Sequence, residues 1–302
     1  MCKKELARRW FLKGCRYDST GSERDKAIDA YRRSLKYDDE LTDAYVNLGF
    51  IYLAGTDYEK AAKCFQDVVG LEPKNPEAFN NLGYVYEEMK RLGCARQAYR
   101  QASGLDPKNV ETLLNLAKVY ELEGNYHDAV KQYKRAIKQD ADIIAPRFCL
   151  AVLYDNYDMF DEAMEEYQGV LDRDPDHIKG LLNMGNLYVQ LGNNERAIDL
   201  FKRVIALDPD NADACNQLGS VHKSDGNYAE ASASYKRVLS LDPFKEDAHM
   251  ELAEAQYLQY RSKFNGVKKE EVRQRIDYLL AINPDNGKGK QLLKELIEGD
   301  RG

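Results

Sequence analysis

Apolar residues along this chain recur in two alternating helical stripes. Tyr45, Leu48, Gly49 and Tyr52 stand at i, i+3, i+4 and i+7, one face of an α-helix, and Ala61, Phe65 and Val68 form the stripe of a second helix a turn later. The pair then repeats every 34 residues. An alanine column runs Ala27, Ala61, Ala95, Ala129, Ala163, Ala197 and Ala231, and a small-residue column Gly49, Gly83, Ala117, Ala151, Gly185, Gly219 and Ala253. A bulky column reads Tyr31, Phe65, Tyr99, Tyr133, Tyr167, Phe201 and Tyr235, and a tyrosine column runs Tyr52, Tyr86, Tyr120, Tyr154 and Tyr188 until His222 breaks it. Pro73, Pro107, Pro175, Pro209 and Pro243 keep the same time, with Ala141 and Asp39 at the two ticks that lack proline. Such a period marks stacked helix pairs, none of which can bury its apolar face alone.

Each column has a physical task. The alanines let two helix axes approach closely, and the aromatic fills the space alongside. The turn between the helices favours glycine or a polar residue, as at Gly124, Asp158, Gly192 and Gly226. Proline ends the second helix, because it lacks an N–H and disfavours a helical residue before it.

With these columns in place, the segments AFNNLGYVY…CARQAYRQASGLDP and GLLNMGNLYVQLGNNERAIDLFKRVIALDP resemble the tetratricopeptide repeat (TPR) family, and the likeness covers nearly the whole chain. It implies an all-α fold, a right-handed α-solenoid or superhelix of about eight helix hairpins. The expected single domain has repeats near 8–41, 42–75, 76–109, 110–143, 144–177, 178–211, 212–245 and 246–286. A capping helix at 287–298 is expected to shield the last apolar face with Leu292, Leu293, Leu296 and Ile297. The first unit is divergent, with Trp10, Gly14, Tyr17, Ala27 and Tyr31 in the expected roles and one extra residue in its turn. The last is stretched, its extra length falling around Tyr260 to Lys269. The unit at 144–177 departs most from the pattern: Pro146 opens its first helix and Arg147 replaces a bulky residue, so a change of curvature or a hinge is expected there.

Composition narrows the function classes. The net charge is −7 with acids and bases well mixed, so no basic face points to nucleic acid. No apolar run approaches the roughly 20 residues that span a bilayer, so membrane insertion is not expected. The opening Met1-Cys2-Lys3-Lys4-Glu5 lacks the apolar stretch of a signal peptide, and a cytoplasmic location is expected. The six cysteines are scattered with no C-x-x-C pair, which argues for free thiols rather than a disulfide framework or metal site. The four histidines share no structural context, and no phosphate-binding glycine loop, nucleophile elbow or H-E-x-x-H helix occurs. The chain therefore reads as no enzyme, with no catalytic residues and no cofactor.

Function is sought on columns that the fold does not need. The family resemblance implies that the first helix of each pair lines a concave groove, where its sixth position reads Asn47, Asn81, Asn115, Cys149, Asn183, Gln217 and Glu251. This row is similar to the asparagine ladder of the TPR superhelix of the O-linked N-acetylglucosamine transferase family, which implies a grip on the backbone of an extended polypeptide. A carboxamide offers both a donor and an acceptor, matching a peptide unit. Helices about 10 Å apart would meet a chain that advances about 3.3–3.6 Å per residue at every third residue. Asparagine here can equally cap or bridge neighbouring helices, and that alternative stays open.

Flanking positions would supply specificity. Val46, Phe50 and Leu53 make the first helix of 42–75 apolar almost all round, and Tyr84 continues the face. Glu87, Glu88, Glu121 and Asp155 lie near helix C-termini, where the dipole opposes acids by about 0.3–1 kcal/mol. They point to a cationic or N–H-rich ligand. The carboxylate clamp of chaperone-binding relatives is missing, since its lysine column holds Val46, Asn80, Leu114, Phe148, Leu182, Asn216 and Met250. The expected function is a non-catalytic scaffold binding an extended, cationic protein or peptide partner in the groove. The alternatives are a self-assembling scaffold, a homo-oligomer stacking through Trp10-Phe11 or the Phe264 insertion, and a targeting module for a glycosyltransferase on another chain.

Overall fold

The structure, a computed structural model, describes residues 2–19, 23–262 and 267–298. Among them the chain forms seventeen α-helices and no strand, an all-α solenoid architecture divided into two compact units, Met1–Leu153 and Tyr154–Gly302. The first unit pairs α1 (Lys3–Ser19) with α2 (Arg24–Tyr37), α3 (Thr42–Ala54) with α4 (Tyr58–Leu71), α5 (Pro76–Glu88) with α6 (Leu92–Leu105), and α7 (Val110–Leu122) with α8 (Tyr126–Gln139). The division falls inside α9 (Ile144–Asn156), in the repeat that departs most from the sequence pattern. The second unit continues with α10 (Phe160–Leu171), pairs α11 (Ile178–Gln190) with α12 (Asn194–Leu207), α13 (Ala212–Ser224) with α14 (Tyr228–Leu241), and α15 (Glu246–Arg261) with α16 (Lys269–Ile282), and closes on α17 (Gly287–Glu298).

Within each unit second helices pack on their own partner and on the first helix of the next hairpin, as α4 does on α3 and α5, and α12 on α11 and α13. First helices also touch directly, α5 against α7 and α11 against α13. The bulky column is the centre of this packing, with Tyr31, Phe65, Tyr99, Tyr133, Tyr167, Phe201 and Tyr235 all at 2 % exposure or less. Where the small-residue column holds glycine, the ring sits in the space a Cβ would take, whereas Ala117 and Ala151 hold the same place in their hairpins. A Cβ at Gly49 would lie 2.7 Å from the Phe65 ring, and one at Gly83 2.7 Å from that of Tyr99.

In the six hairpins from α3–α4 to α13–α14 the turn reverses the chain through one left-handed residue. Thr56, Lys90, Gly124, Asp158, Gly192 and Gly226 share this place, with φ between 55° and 78°. The following N–H then bonds back to the carbonyl of the tyrosine column, Asp57 to Tyr52 and Asn125 to Tyr120 for example, which closes the helix end. Glycine suits this place best, but lysine, aspartate and threonine also occupy it. Helix starts are capped by side chains, Asn193 at a second helix and Asn75, Asn109 and Asn211 at first helices, each accepting from backbone N–H groups of the first turn. His177 does the same through Nδ1, 3.0 Å from Gly180 N.

The ends differ in detail from the expected repeat boundaries. α1 begins at Lys3, ahead of residue 8, and Phe11 turns inward onto Tyr31 with ring centroids 5.7 Å apart. α15 runs sixteen residues where the other first helices of 42–224 run thirteen, so part of the extra length is helical. Phe264 lies outside the described residues. α17 caps the second unit by packing Leu292 and Leu296 against Tyr257, Val272 and Ile276, and Ile297 remains exposed.

Candidate functional site

The candidate site is built from the first helices, and the second helices decide which of its polar groups are available. A tyrosine in the bulky column buries its ring, but its hydroxyl must find a partner. It reaches two places: the first helix of its own hairpin twelve residues back, and the first helix of the next hairpin sixteen residues on. Tyr99 donates to Glu87 Oε2 (3.2 Å) and Tyr133 to Glu121 Oε2 (3.0 Å), both twelve back. Tyr31 receives a bond from Asn47 Nδ2 (3.0 Å) and Tyr167 one from Asn183 Nδ2 (3.3 Å), while Tyr235 donates to Glu251 Oε2 (3.2 Å), all sixteen on. Tyr167 also bonds Asp155, twelve back. Burial, reinforced by the facing carboxylate, holds the Tyr99 and Tyr235 phenols far above their ordinary value, so they stay protonated and donate.

These bonds explain acids at unfavourable helix ends. A hydrogen bond to a charged group contributes about 1.5–3 kcal/mol. That exceeds the roughly 0.3–1 kcal/mol with which the helix dipole opposes the charge. Glu87 is buried at 5 % exposure and also pairs with Lys118 Nζ at 2.6 Å, which raises the lysine's pKa. Glu121 and Asp155 are likewise occupied. Glu88 is half-buried and has no ion-pair partner among the described residues.

Where the bulky column holds phenylalanine the arrangement changes on both sides. Twelve residues before Phe65 and Phe201 stand Leu53 and Val189, which need no donor. Sixteen residues after them stand Asn81 and Gln217, half-buried and with no side-chain hydrogen bond among the described residues. Asn115, which follows Tyr99, instead bonds Asn80 Oδ1 at 3.4 Å. Of the predicted row, Asn47, Asn115 and Asn183 therefore have intramolecular partners, and the half-buried Asn81 and Gln217 have none among the described residues.

In the first unit the open amide lies in an aromatic setting. Phe50, 44 % exposed, stacks its edge on Phe65 at 5.4 Å, and Tyr84, 42 % exposed, stands one turn beyond Asn81 on α5. Val46 and Leu53 are half-buried beside them on α3. In the second unit the corresponding face is polar. Lys223 lies between Glu251 and Glu254, and Lys288 reaches Glu254 at 2.7 Å. Burial opposes the Lys223 charge, but the two carboxylates outweigh it and raise its pKa.

Sequence reasoning missed three contributors. Asn80 accepts from Thr112 Oγ1 (3.2 Å) and Asn115 and donates to Glu111 (3.4 Å), tying α5 to α7. Lys118 and Lys223 neutralise the acids around them. The two lysines hold the columns three and six places beyond the asparagine row, so a reading of those columns could have found them. Among the described residues no cluster of three metal-ligating side chains occurs, and no helix is long and apolar enough to cross a membrane.

Family models agree with this architecture. One described as TPR repeat matches residues 51–90 and 185–226, and two described as tetratricopeptide repeat match 88–147 and 212–245. The C-terminal part of a TPR repeat-containing protein from Cytophaga hutchinsonii is similar in structure, with TM-score 0.71, 16% identity and coverage of 81% of this chain and 98% of that one. MamA is similar over 58% of this chain and 95% of its own, at TM-score 0.53 and 22% identity. YrrB, a TPR protein with an unusual peptide-binding site, is similar over 62% and 96%, at TM-score 0.51 and 21% identity. A search of the curated proteins found no significant match.

Proposed function

The chain is a tetratricopeptide repeat protein, and from that membership we propose that it is a non-catalytic interaction scaffold that holds an extended polypeptide against the first helices of its first unit. The observation that carries the proposal is Asn81, a carboxamide with no side-chain partner among the described residues, one turn before the exposed ring of Tyr84 on α5 and with the exposed ring of Phe50 one turn beyond Asn47, its counterpart on α3. Its donor and acceptor match one peptide unit of a strand-like ligand, and the two rings offer apolar surface to the side chains on either side. Glu88, one turn beyond Tyr84, supplies the acidic flank for a cationic residue. YrrB's peptide-binding site supports the class of ligand.

The amide bond contributes about 0.5–1.5 kcal/mol, so the rings carry much of the affinity. A pull-down from native lysate with mass spectrometry tests the reading, using wild type, Asn81→Ala and the pair Phe50→Ala with Tyr84→Ala. The reading predicts partners retained weakly by the first variant and lost by the second. An unchanged set of partners from both would move the binding face elsewhere.

Self-assembly is the second reading, favoured by the exposed Leu12 of α1 and opposed by the covered Trp10 and inward Phe11. Leu12 is 50 % exposed there, and Trp10 is covered by the cations of Lys13 at 4.9 Å and Arg33 at 4.7 Å. Light scattering over a dilution series separates the two, since assembly produces large species that dissolve on dilution.

A further inference from the structure

Five of the seven bulky-column positions are tyrosine and two are phenylalanine, and the neighbours of each follow its identity. Wherever the hydroxyl exists it engages an acid, an amide or a thiol on the first helices: Asn47, Glu87, Glu121, Asn183 and Glu251, with Cys149 also bonded to Tyr133. Wherever it is absent, the place twelve back is aliphatic and the amide sixteen on is open. The same backbone therefore presents two kinds of first-helix face, chosen by one buried oxygen atom.

We infer that Phe65 and Phe201 are the residues that determine where this protein takes a polypeptide backbone, by leaving Asn81 in the first unit and Gln217 in the second as its ligand-facing amides. The inference rests on the proposed reading of the face as a polypeptide site and adds Gln217, a second position in a polar setting. Ser220, one turn on, is exposed, and Lys223 beyond it is neutralised by Glu251 and Glu254. The Asn81 position favours apolar side chains beside the held peptide unit, and the Gln217 position favours polar ones. Phe65 and Phe201 touch no ligand themselves. Their part is to withhold a hydroxyl that would compete for the amide.

The test is Phe65→Tyr. Tyrosine fills the equivalent place in five other hairpins, so the variant is expected to fold. Its hydroxyl finds Leu53 on one side and can bond only Asn81 on the other. The probe is a peptide selected on the wild-type protein from a random-sequence displayed dodecapeptide pool and competed off by the Phe50→Ala, Tyr84→Ala criterion, that is, not captured by that pair. Asn81→Ala is expected to weaken it about threefold to tenfold. Phe65→Tyr is expected to weaken it by the same factor, and the double variant by no more than either single one. The converse variant Tyr31→Phe, combined with Cys15→Ala because Asn47 Nδ2 also reaches Cys15 Sγ at 4.0 Å, releases Asn47 and is expected to make a subsequent Asn47→Ala change costly where it is neutral in wild type. Loss with Asn81→Ala but wild-type affinity with Phe65→Tyr would overturn the inference and leave the polypeptide reading standing. Wild-type affinity with Asn81→Ala would overturn the reading itself. A parallel series with Phe201→Tyr and Gln217→Ala, on a peptide selected against the Phe50→Ala, Tyr84→Ala protein, decides the second position by the same criteria.

Discussion

Hairpin α3–α4 and hairpin α5–α6 are neighbours built on the same columns, yet one is completed by Phe65 and the other by Tyr99. Both rings are fully buried against a glycine, Gly49 and Gly83, whose Cβ they exclude. The phenylalanine hairpin has Leu53 and an open amide at Asn81, whereas the tyrosine hairpin has Glu87, Lys118 and an amide, Asn115, bonded to Asn80. Packing is indifferent to the hydroxyl, and the polar surface is not. The identity of a buried core residue thus goes with which polar groups on the first helices are already bonded.

Truncation gives the largest effect and abolishes the difference. Phe65→Ala and Tyr99→Ala are each expected to lose about 3–5 kcal/mol in denaturant unfolding, because both delete the same packed ring. A much smaller loss at either position would show that the two hairpins do not share one packing role. Removing only the hydroxyl brings the difference back. Tyr99→Phe is expected to cost about 1.5–3 kcal/mol, since the buried Glu87 carboxylate loses its phenol donor. Equal stability of Tyr99→Phe and wild type would show that Lys118 alone satisfies Glu87.

A smaller effect separates the turns of the two hairpins from their glycine counterparts. Thr56 (φ 60°) and Lys90 (φ 59°) hold left-handed geometry that Gly124 holds without a Cβ. Thr56→Gly is expected to stabilise by about 1 kcal/mol, with Lys90→Gly gaining less because lysine is not β-branched. Thermal unfolding that falls in the glycine variants would mean the side chains there make contacts that outweigh the strain.

The fold was legible because its columns are local and periodic. Ala61, Gly49, Phe65 and Pro73 each announce a helix face, a close approach, a filler and a stop, and the structure puts helices where those residues require them. The residues of the face were legible as a row, but their availability was not. Asn47 and Asn81 are the same residue type at the same repeat position, and only a three-dimensional register places Tyr31 beside the first and Phe65 beside the second. The signal was nonetheless present as covariation along one chain: Tyr99 with Glu87, Tyr133 with Glu121 and Tyr167 with Asp155, against Phe65 with Leu53 and Phe201 with Val189. The acids that suggested a cationic ligand are mostly the partners of buried phenols, which leaves Glu88 to support that preference. Capping by His177 was hidden for another reason, since its role depends on the neutral ring nitrogen meeting Gly180 N.

The most direct measurement is the dissociation constant of one captured polypeptide segment for wild type, Asn81→Ala and Asn47→Ala, side by side. Asn81→Ala is expected to weaken binding about threefold to tenfold and Asn47→Ala to leave it unchanged. Equal losses from both would mean the tyrosine hydroxyl does not take Asn47 out of use, and no loss from Asn81→Ala would contradict the open amide as the point of contact.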